Sequence, residues 1–470
     1  MKGNLPELEK HKKYKDRYGE KETYWGFGIE LETYLQFEKP VYVAAPIIRT
    51  ARRPERYSVN YYNSYKPLAL ASIDTMFPDA SGFVPLALLM NCHSLAKADR
   101  NGQHLTTYAK VPRPNPAFSG YTVFDEMQEY CANLFVKEYE ESFVFDGDTL
   151  EFISQDFYKA KASDAIREIV EHKKTFLDKF NAFLLERKVF LDKGPVIYPP
   201  KNPGFAVFHT NQKNIVMFNN GTYHINITLP SQLGPKTRRG DPTLSDPRKF
   251  RRDHKNCIRI FQWLEPVLIA MYGTPDPLPS GSRGSQRCAM SRYMGVGTYD
   301  TEAMPEGKIL TVPVENIRGS DQPFWWYKKY HEDSAYTPLT QLGMDINYRK
   351  HYLHGIELRI FDWFPEERLQ ELCNLLIWSA DESLSHMNIA EPVMNKSWNN
   401  LLVGVLKEGN IYRPSMDELG YISSIFHLDL MNEKSVKGVY SRIYEGLEKR
   451  YRGSYISSCF LDYATKGCCG

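Results

Sequence analysis

The chain has 470 residues, a hydrophobic content of 42% and a net charge of +2 from 59 basic and 57 acidic residues. This length and apolar content predict a folded protein with a sizeable core and exclude a disordered chain. The near-neutral charge argues against a protein whose main task is to coat nucleic acid or an anionic membrane.

The first 22 residues are highly charged and have no apolar centre, so they do not resemble a secretory signal. No apolar run approaches the roughly 18 residues that a membrane span needs. The eight cysteines are scattered apart from Cys468 and Cys469, and none has the CxxC spacing of a zinc or redox pair. We therefore expect a cytoplasmic protein without a membrane partner. The terminal cysteine pair is expected to lie in a frayed tail.

The segment YWGFGIELETYL, at 24–35, has the alternation of a strand. Glu30 and Glu32 fall on one face, and Ile29 and Leu31 fall on the other. A second strand is predicted in SFVFDGDTLEFIS, where Glu151 follows a turn. Two more carboxylates flank that turn, Asp146 and Asp148.

The middle of the chain predicts two helices around a third strand. The first helix covers about 163–187, from its apolar periodicity. The strand GTYHINITLP then presents His224 and Asn226 on its polar face. A basic loop is expected at 236–255, followed by an apolar helix at 257–273 that Gly273 closes and that Pro266 kinks or begins.

The last predicted strand is HGIELRIFDWFP, with Glu357 and Arg359 on one face and Ile356 and Leu358 on the other. Helices are expected at about 365–384 and 436–450. No internal repeat is visible.

Four strands thus each aim polar groups away from an apolar face. Taken singly, each is an ordinary feature: a solvated strand face, a structural histidine or a cross-strand ion pair. One antiparallel sheet would instead collect the carboxylates and the imidazole in a single site. Carboxylate oxygens with few nitrogens suit Mg2+, or Mn2+, rather than a soft metal.

The blocks GFGIELE, DGDTLEFIS, GTYHINITLP and GIELRIFDWFP, in this order, resemble the motifs of carboxylate-amine ligases (amidoligases) with a glutamine-synthetase-like fold. Glutamate-cysteine ligases are the most similar in motifs. The helix RIFQWLEPVLIAMYGTPDP also resembles the family's helix after the histidine strand. The resemblance implies an α+β fold: a curved antiparallel sheet with helices on its convex face, plus C-terminal helices.

The resemblance also implies a site and a reaction. Glu30, Glu32, Glu151, His224 and Glu357 would hold Mg2+ ions, and ATP would enter with its phosphates on the metals. The γ-phosphoryl group would pass to a substrate carboxylate, and an amine would attack the acyl phosphate to form an amide. Catalytic roles fall to Arg359 and Glu30, and nucleotide or substrate contacts to Asn226, Arg287, Arg292 and Arg359.

Three regions follow from this interpretation. Residues 1–22 form a charged N-terminal segment, and 23–385 form the catalytic domain with insertions at about 36–125 and 274–352. Residues 386–470 form a C-terminal helical extension and tail. The insertions have no block that aligns with the family, and ISQDF lacks the proline that usually ends the second strand, so the acid and the amine are not carried over.

Other functions stay open at this stage. GxxxxGK[ST], HExxH and GxSxG are absent, which argues against P-loop hydrolysis, zinc proteolysis and α/β-hydrolase chemistry. A guanidino-type phosphotransferase, a metal-dependent phosphohydrolase or a non-catalytic binding module would each use a similar sheet. We expect small-molecule or peptide carboxylate and amine substrates, with nucleic acid disfavoured and oligomerisation open.

Overall fold

The computed structural model describes part of the chain. The described residues are 25–39, 42–44, 83–85, 143–146, 149–154, 161–198, 221–229, 233–234, 243–244, 247–274, 283–285, 346–349, 355–392 and 395–452. Several predictions fall outside these ranges: the segment 1–22, most of both insertions, Asp148, Arg287, Arg292 and the terminal cysteine pair.

In the described part of the chain, groups of strands are separated by long helices, and the last four helices follow one another. The strands are β1 (Gly26–Thr33), β2 (Gln36–Phe37), β3 (Tyr42–Ala44), β4 (Phe83–Pro85), β5 (Phe143–Asp146), β6 (Thr149–Ile153), β7 (Val196–Ile197), β8 (Thr222–Thr228), β9 (Leu233–Gly234), β10 (Thr243–Leu244), β11 (Ile346–Arg349) and β12 (Gly355–Leu358). The helices are α1 (Ala162–Glu186), α2 (Pro247–Tyr272), α3 (Leu369–Leu384), α4 (Lys396–Glu408), α5 (Met416–Phe426) and α6 (Val436–Tyr451).

The main sheet of the described residues has six strands in the order β11-β12-β8-β1-β6-β5. Every neighbouring pair is antiparallel. The prediction of an α+β fold with an antiparallel sheet is confirmed. The predicted curvature is not, because the sheet is not strongly curled.

The alternation predicted for the central strands is present and separates two faces. Ile29, Tyr223, Ile225 and Leu358 lie in the core with no exposed surface. On this face the Phe152 ring packs edge to face on Phe176 of α1, with centroids 5.6 Å apart. Each such side chain contributes about 1.5–3 kcal/mol when buried. A register slip of one residue would turn the carboxylates into this core, so the apolar face fixes the register.

Helix α2 starts earlier than the sequence predicts. It begins at Pro247, so residues 247–255 of the predicted basic loop are helical. Proline suits a first helical position because that position's N–H has no partner within the helix. Pro266 lies inside the helix rather than in its first turn. Gly273 ends α2 as predicted, and its N–H donates to the Ile269 carbonyl at 2.8 Å.

The C-terminal helices share the core of the sheet domain. The predicted helices at 365–384 and 436–450 are present as α3 and α6, whereas α4 and α5 were not individually predicted. Helices α4, α5 and α6 contact α2, and α6 also contacts α3. Their buried side chains belong to the same apolar cluster as those of the sheet. A domain boundary at residue 385 stays a prediction.

No helix in the described ranges combines the length and the apolar character that crossing a bilayer requires.

The N-terminus of α5 provides a local stability test. Ser415 Oγ accepts a hydrogen bond from the Glu418 N–H at 3.3 Å, and Glu418 Oε2 accepts one from the Ser415 N–H at 2.6 Å. Because this capping box satisfies two helix-end donors, Ser415→Ala is expected to destabilise α5 by about 1 kcal/mol. Hydrogen exchange of the α5 amides measures this cost. Ser424→Ala, at an exposed position of the same helix, is the control, and an equal effect of both variants would contradict the prediction.

Candidate metal centre

The four segments singled out from the sequence lie on adjacent strands of the main sheet. Their order in space is β12, β8, β1 and β6. Glu30 pairs with His224, Glu32 with Glu151, and Glu357 with Asn226. Since paired residues of antiparallel strands point to the same face, the predicted polar groups converge on the face opposite α1.

Glu30 is the centre of the resulting contacts. Its Oε1 accepts a hydrogen bond from Asn226 Nδ2 at 3.1 Å. Its Oε2 lies 3.1 Å from His224 Nδ1. The imidazole also approaches two further carboxylates, with Nε2 3.4 Å from Glu32 Oε1 and Nδ1 3.5 Å from Glu357 Oε1. One histidine is therefore surrounded by three carboxylates from two strands.

These groups are removed from water. Glu357 and Asn226 have no exposed surface, His224 is 1% exposed, and the most exposed carboxylate of the set, Glu151, is 9% exposed. Burying an ionised carboxylate costs several kcal/mol unless cations or hydrogen bonds compensate. The described residues of the set contribute four carboxylates against one imidazole and one guanidinium. That excess of acidic groups is the composition of a cation site.

The guanidinium belongs to Arg359, which follows directly after the end of β12. The sequence places Arg359 within the strand, but the strand ends at Leu358. Arg359 Nη1 donates to Glu357 Oε1 at 3.0 Å, and the Arg359 side chain is 20% exposed. The arginine thus connects the buried Glu357 carboxylate to the solvent side of the site.

The donor set fits a hard divalent cation. One ligand atom each from Glu30, His224 and Glu357 lies within 4.8 Å of the others. Asn226 Oδ1 is buried beside them and accepts no hydrogen bond within the described part of the chain. An ion bonded at about 2.1 Å bridges ligands up to about 4.2 Å apart, so small side-chain shifts would close the site. Mg2+ or Mn2+ matches this largely oxygen donor set better than a thiophilic metal.

The predicted site residues divide into three groups. The contacts above bring together Glu30, Glu32, His224, Asn226, Glu357 and Arg359. Glu151 lies beside this group through its pairing with Glu32. Arg287 and Arg292 lie outside the described residues, and the roles of all nine residues stay predictions.

Asp362 is a buried residue of this region that the sequence analysis did not single out. Its Oδ2 accepts hydrogen bonds from the Thr274 N–H at 3.1 Å and from Ser285 Oγ at 2.5 Å. These contacts hold the end of α2 and the segment just before Arg287 against the residues that follow β12. The sequence does contain an indication of Asp362, because this aspartate interrupts the otherwise apolar run in RIFDWFP.

The described cysteines offer neither a nucleophile nor a soft metal ligand. Cys257 in α2 and Cys373 in α3 are free and fully buried. Burial raises the pKa of both thiols, so they stay protonated at neutral pH.

The chain is similar to the uncharacterized protein R704 of Acanthamoeba polyphaga mimivirus. The two are 35% identical over 458 residues, which cover 96% of this chain and 78% of the viral protein. With this identity over nearly its whole length, the chain belongs to the same family as the viral protein. No established family profile matches the chain.

Proposed function

We propose that this protein is an ATP- and Mg2+-dependent ligase that joins a carboxylate to an amine through an acyl phosphate. The main support for this proposal is that Glu30, His224 and Glu357 converge, with ligand atoms within 4.8 Å of one another. They come from the strand blocks that resemble carboxylate-amine ligases. The proposal includes a glutamine-synthetase-like catalytic sheet.

Glu30, Glu32, Glu151, His224 and Glu357 would hold the metal ions, with Asn226 Oδ1 as a further oxygen donor. When bound, Mg2+ supplies positive charge that neutralises the phosphates of ATP. The strand pairing keeps the carboxylates in place, so little rearrangement accompanies metal binding. The hydrogen bond from Asn226 Nδ2 to Glu30 Oε1 fixes the orientation of the central carboxylate.

The reaction requires positioning and charge stabilisation rather than a protein nucleophile. An oxygen of the substrate carboxylate attacks the γ-phosphorus, and the bond from that phosphorus to the ADP oxygen breaks. The amine nitrogen then attacks the acyl carbon, inorganic phosphate leaves, and the nitrogen loses a proton. Arg359, which is partly exposed at the edge of the site, would contact the negatively charged phosphoryl group in both steps.

The experiment is an assay of ADP release by the purified chain with Mg2+, across panels of amino acids, short peptides and amines. We expect ADP release that depends on both an acid and an amine, with mass spectrometry detecting an amide. Arg359→Ala is expected to lower this rate by at least about 100-fold, since it removes a charge contact to the transferring group. Arg442→Ala, on the exposed face of α6, is the matched control.

Other products would identify other functions. ADP release that yields a stable phosphorylated product without an amine indicates a phosphotransferase. Phosphate release from a phosphoester without ATP indicates a phosphohydrolase. Amine-independent ADP release that Arg359→Ala leaves unchanged would refute the ligase, and metal binding without turnover on any panel would favour a binding module.

A further inference from the structure

A second cluster of metal-ligating side chains lies among the C-terminal helices, on different elements from the sheet site. Glu382 belongs to the last turn of α3, His386 follows that helix by two residues, and His427 is the residue after α5. One ligand atom from each lies within 4.8 Å of the others. Glu382 is buried, His386 is half-buried and His427 is exposed, so solvent reaches the cluster from one side.

The environment of His386 determines which of its nitrogens is available to an ion. His386 Nε2 lies 3.0 Å from the Ile425 carbonyl oxygen. A carbonyl only accepts hydrogen bonds, so this contact assigns the donor role to Nε2 and leaves Nδ1 as the nitrogen for an ion. This arrangement is typical of metal-bound histidines, whose second nitrogen donates to a carbonyl or carboxylate. A hydrogen bond of 2.7 Å from Asn256 Nδ2 to the His386 carbonyl oxygen also fixes the backbone here.

The backbone at His427 holds its side chain next to His386. His427 adopts the left-handed conformation with φ of 52°, which residues other than glycine seldom adopt. Its ring stacks nearly parallel on the His386 ring, with centroids 5.7 Å apart and an interplanar angle of 10°. A left-handed residue commonly ends a helix, and here that residue is one of the three candidate ligands.

Residues of helix α6 contact the Glu382 carboxylate. Arg450 Nη1 forms an ion pair with Glu382 Oε2, and the Tyr451 hydroxyl donates to the same oxygen at 3.4 Å. Arg450 Nη2 also donates to the Phe426 carbonyl at 2.8 Å, directly before His427. A carboxylate has about four acceptor sites on two oxygens, so these contacts orient Glu382 and leave it capacity for an ion.

The geometry points to a transition-metal site formed by Glu382, His386 and His427, with Zn2+ as the best-matched ion. Two imidazole nitrogens and one carboxylate oxygen suit Zn2+, whereas Mg2+ prefers an all-oxygen set. Water would complete the coordination from the exposed side. Because Zn–N bonds are about 2.0–2.1 Å, binding would draw the three side chains together and tie the end of α3 to the end of α5.

The test measures Zn2+ binding by calorimetry after treatment with a chelator. The Glu30→Gln chain serves as the background, so that the sheet site contributes less to the signal. We expect one binding event per chain, which His427→Asn weakens by at least about 10-fold. Asparagine is the chosen replacement because it tolerates the left-handed conformation. Zn2+ is also expected to raise the melting temperature of the background chain, and His427→Asn to remove that rise.

A second measurement covers the case in which a variant does not fold. Crystals of the unsubstituted chain soaked in Zn2+ should give an anomalous-difference peak between the three side chains. Absence of that peak, or Zn2+ affinity that His427→Asn leaves unchanged, would overturn the proposal. Neither result bears on the ligase, because no ligase step involves these residues.

Discussion

Replacing Glu30 with glutamine is expected to abolish the proposed metal-dependent ligation. Glu30 is the carboxylate that contacts both His224 and Asn226, and it is 4% exposed. A bound divalent ion supplies several kcal/mol of charge stabilisation to phosphoryl transfer, so its loss predicts a rate decrease of at least about 1000-fold. Mn2+ affinity, measured by electron paramagnetic resonance, should fall by at least about 10-fold in parallel.

The control for this prediction is Glu171→Gln, an equal change at an exposed position of α1. It should leave both the rate and the Mn2+ affinity unchanged. The melting temperature of Glu30→Gln in the presence of chelator then distinguishes two cases. In one, the carboxylates form a metal site; in the other, they form a purely structural network around a protonated His224. In a metal site, Glu30→Gln relieves repulsion among buried carboxylates, and the metal-free variant melts no lower than the parent chain. A strongly lowered melting temperature with unchanged Mn2+ affinity would indicate the structural network and contradict the proposed function.

The second large effect is expected at the end of α2. A Cβ atom added at Gly273 would lie 2.0 Å from the Gly284 carbonyl oxygen and 2.3 Å from that of Ile269. Both are backbone atoms, so the chain must move to accept even a methyl group. Gly273→Ala is therefore expected to destabilise the protein by about 1–3 kcal/mol, measured by chemical denaturation.

Gly420→Ala provides the opposite case within α5. A Cβ there meets nothing within 4 Å, and alanine forms helix more readily than glycine. This variant should stabilise the protein by about 0.5–1 kcal/mol. If Gly273→Ala did not lower the stability, the close packing between the end of α2 and residues 283–285 would be contradicted.

Local patterns account for the elements that were predicted well. In β1, β8 and β12, apolar and polar residues alternate with the period of a strand, because one face packs on helices and the other carries the polar groups of the candidate site. The apolar periodicity of α1, α3 and α6 is similarly strong. Helix α2 was predicted to start too late because residues 247–255 carry mainly basic side chains. Two of these, Lys249 and Arg252, form ion pairs with Asp253.

The sequence predicts which residues belong to the candidate site, but it does not predict which of them lie next to each other. Glu30 and His224 are 194 residues apart along the chain, and no local signal encodes their pairing. No sequence pattern indicates the cluster of Glu382, His386 and His427, because the two histidines follow different helices and belong to no motif.

By itself, the sequence determined which face of each central strand is apolar and which side chains oppose it, because side-chain direction along a strand depends only on local periodicity. Only the tertiary structure decided that Glu30 pairs with His224 and Glu357 with Asn226. It alone brought the ends of α3 and α5 together at two histidines. Strand register and helix packing depend on burying apolar surface between distant segments, and that contribution does not appear in any single stretch of the chain.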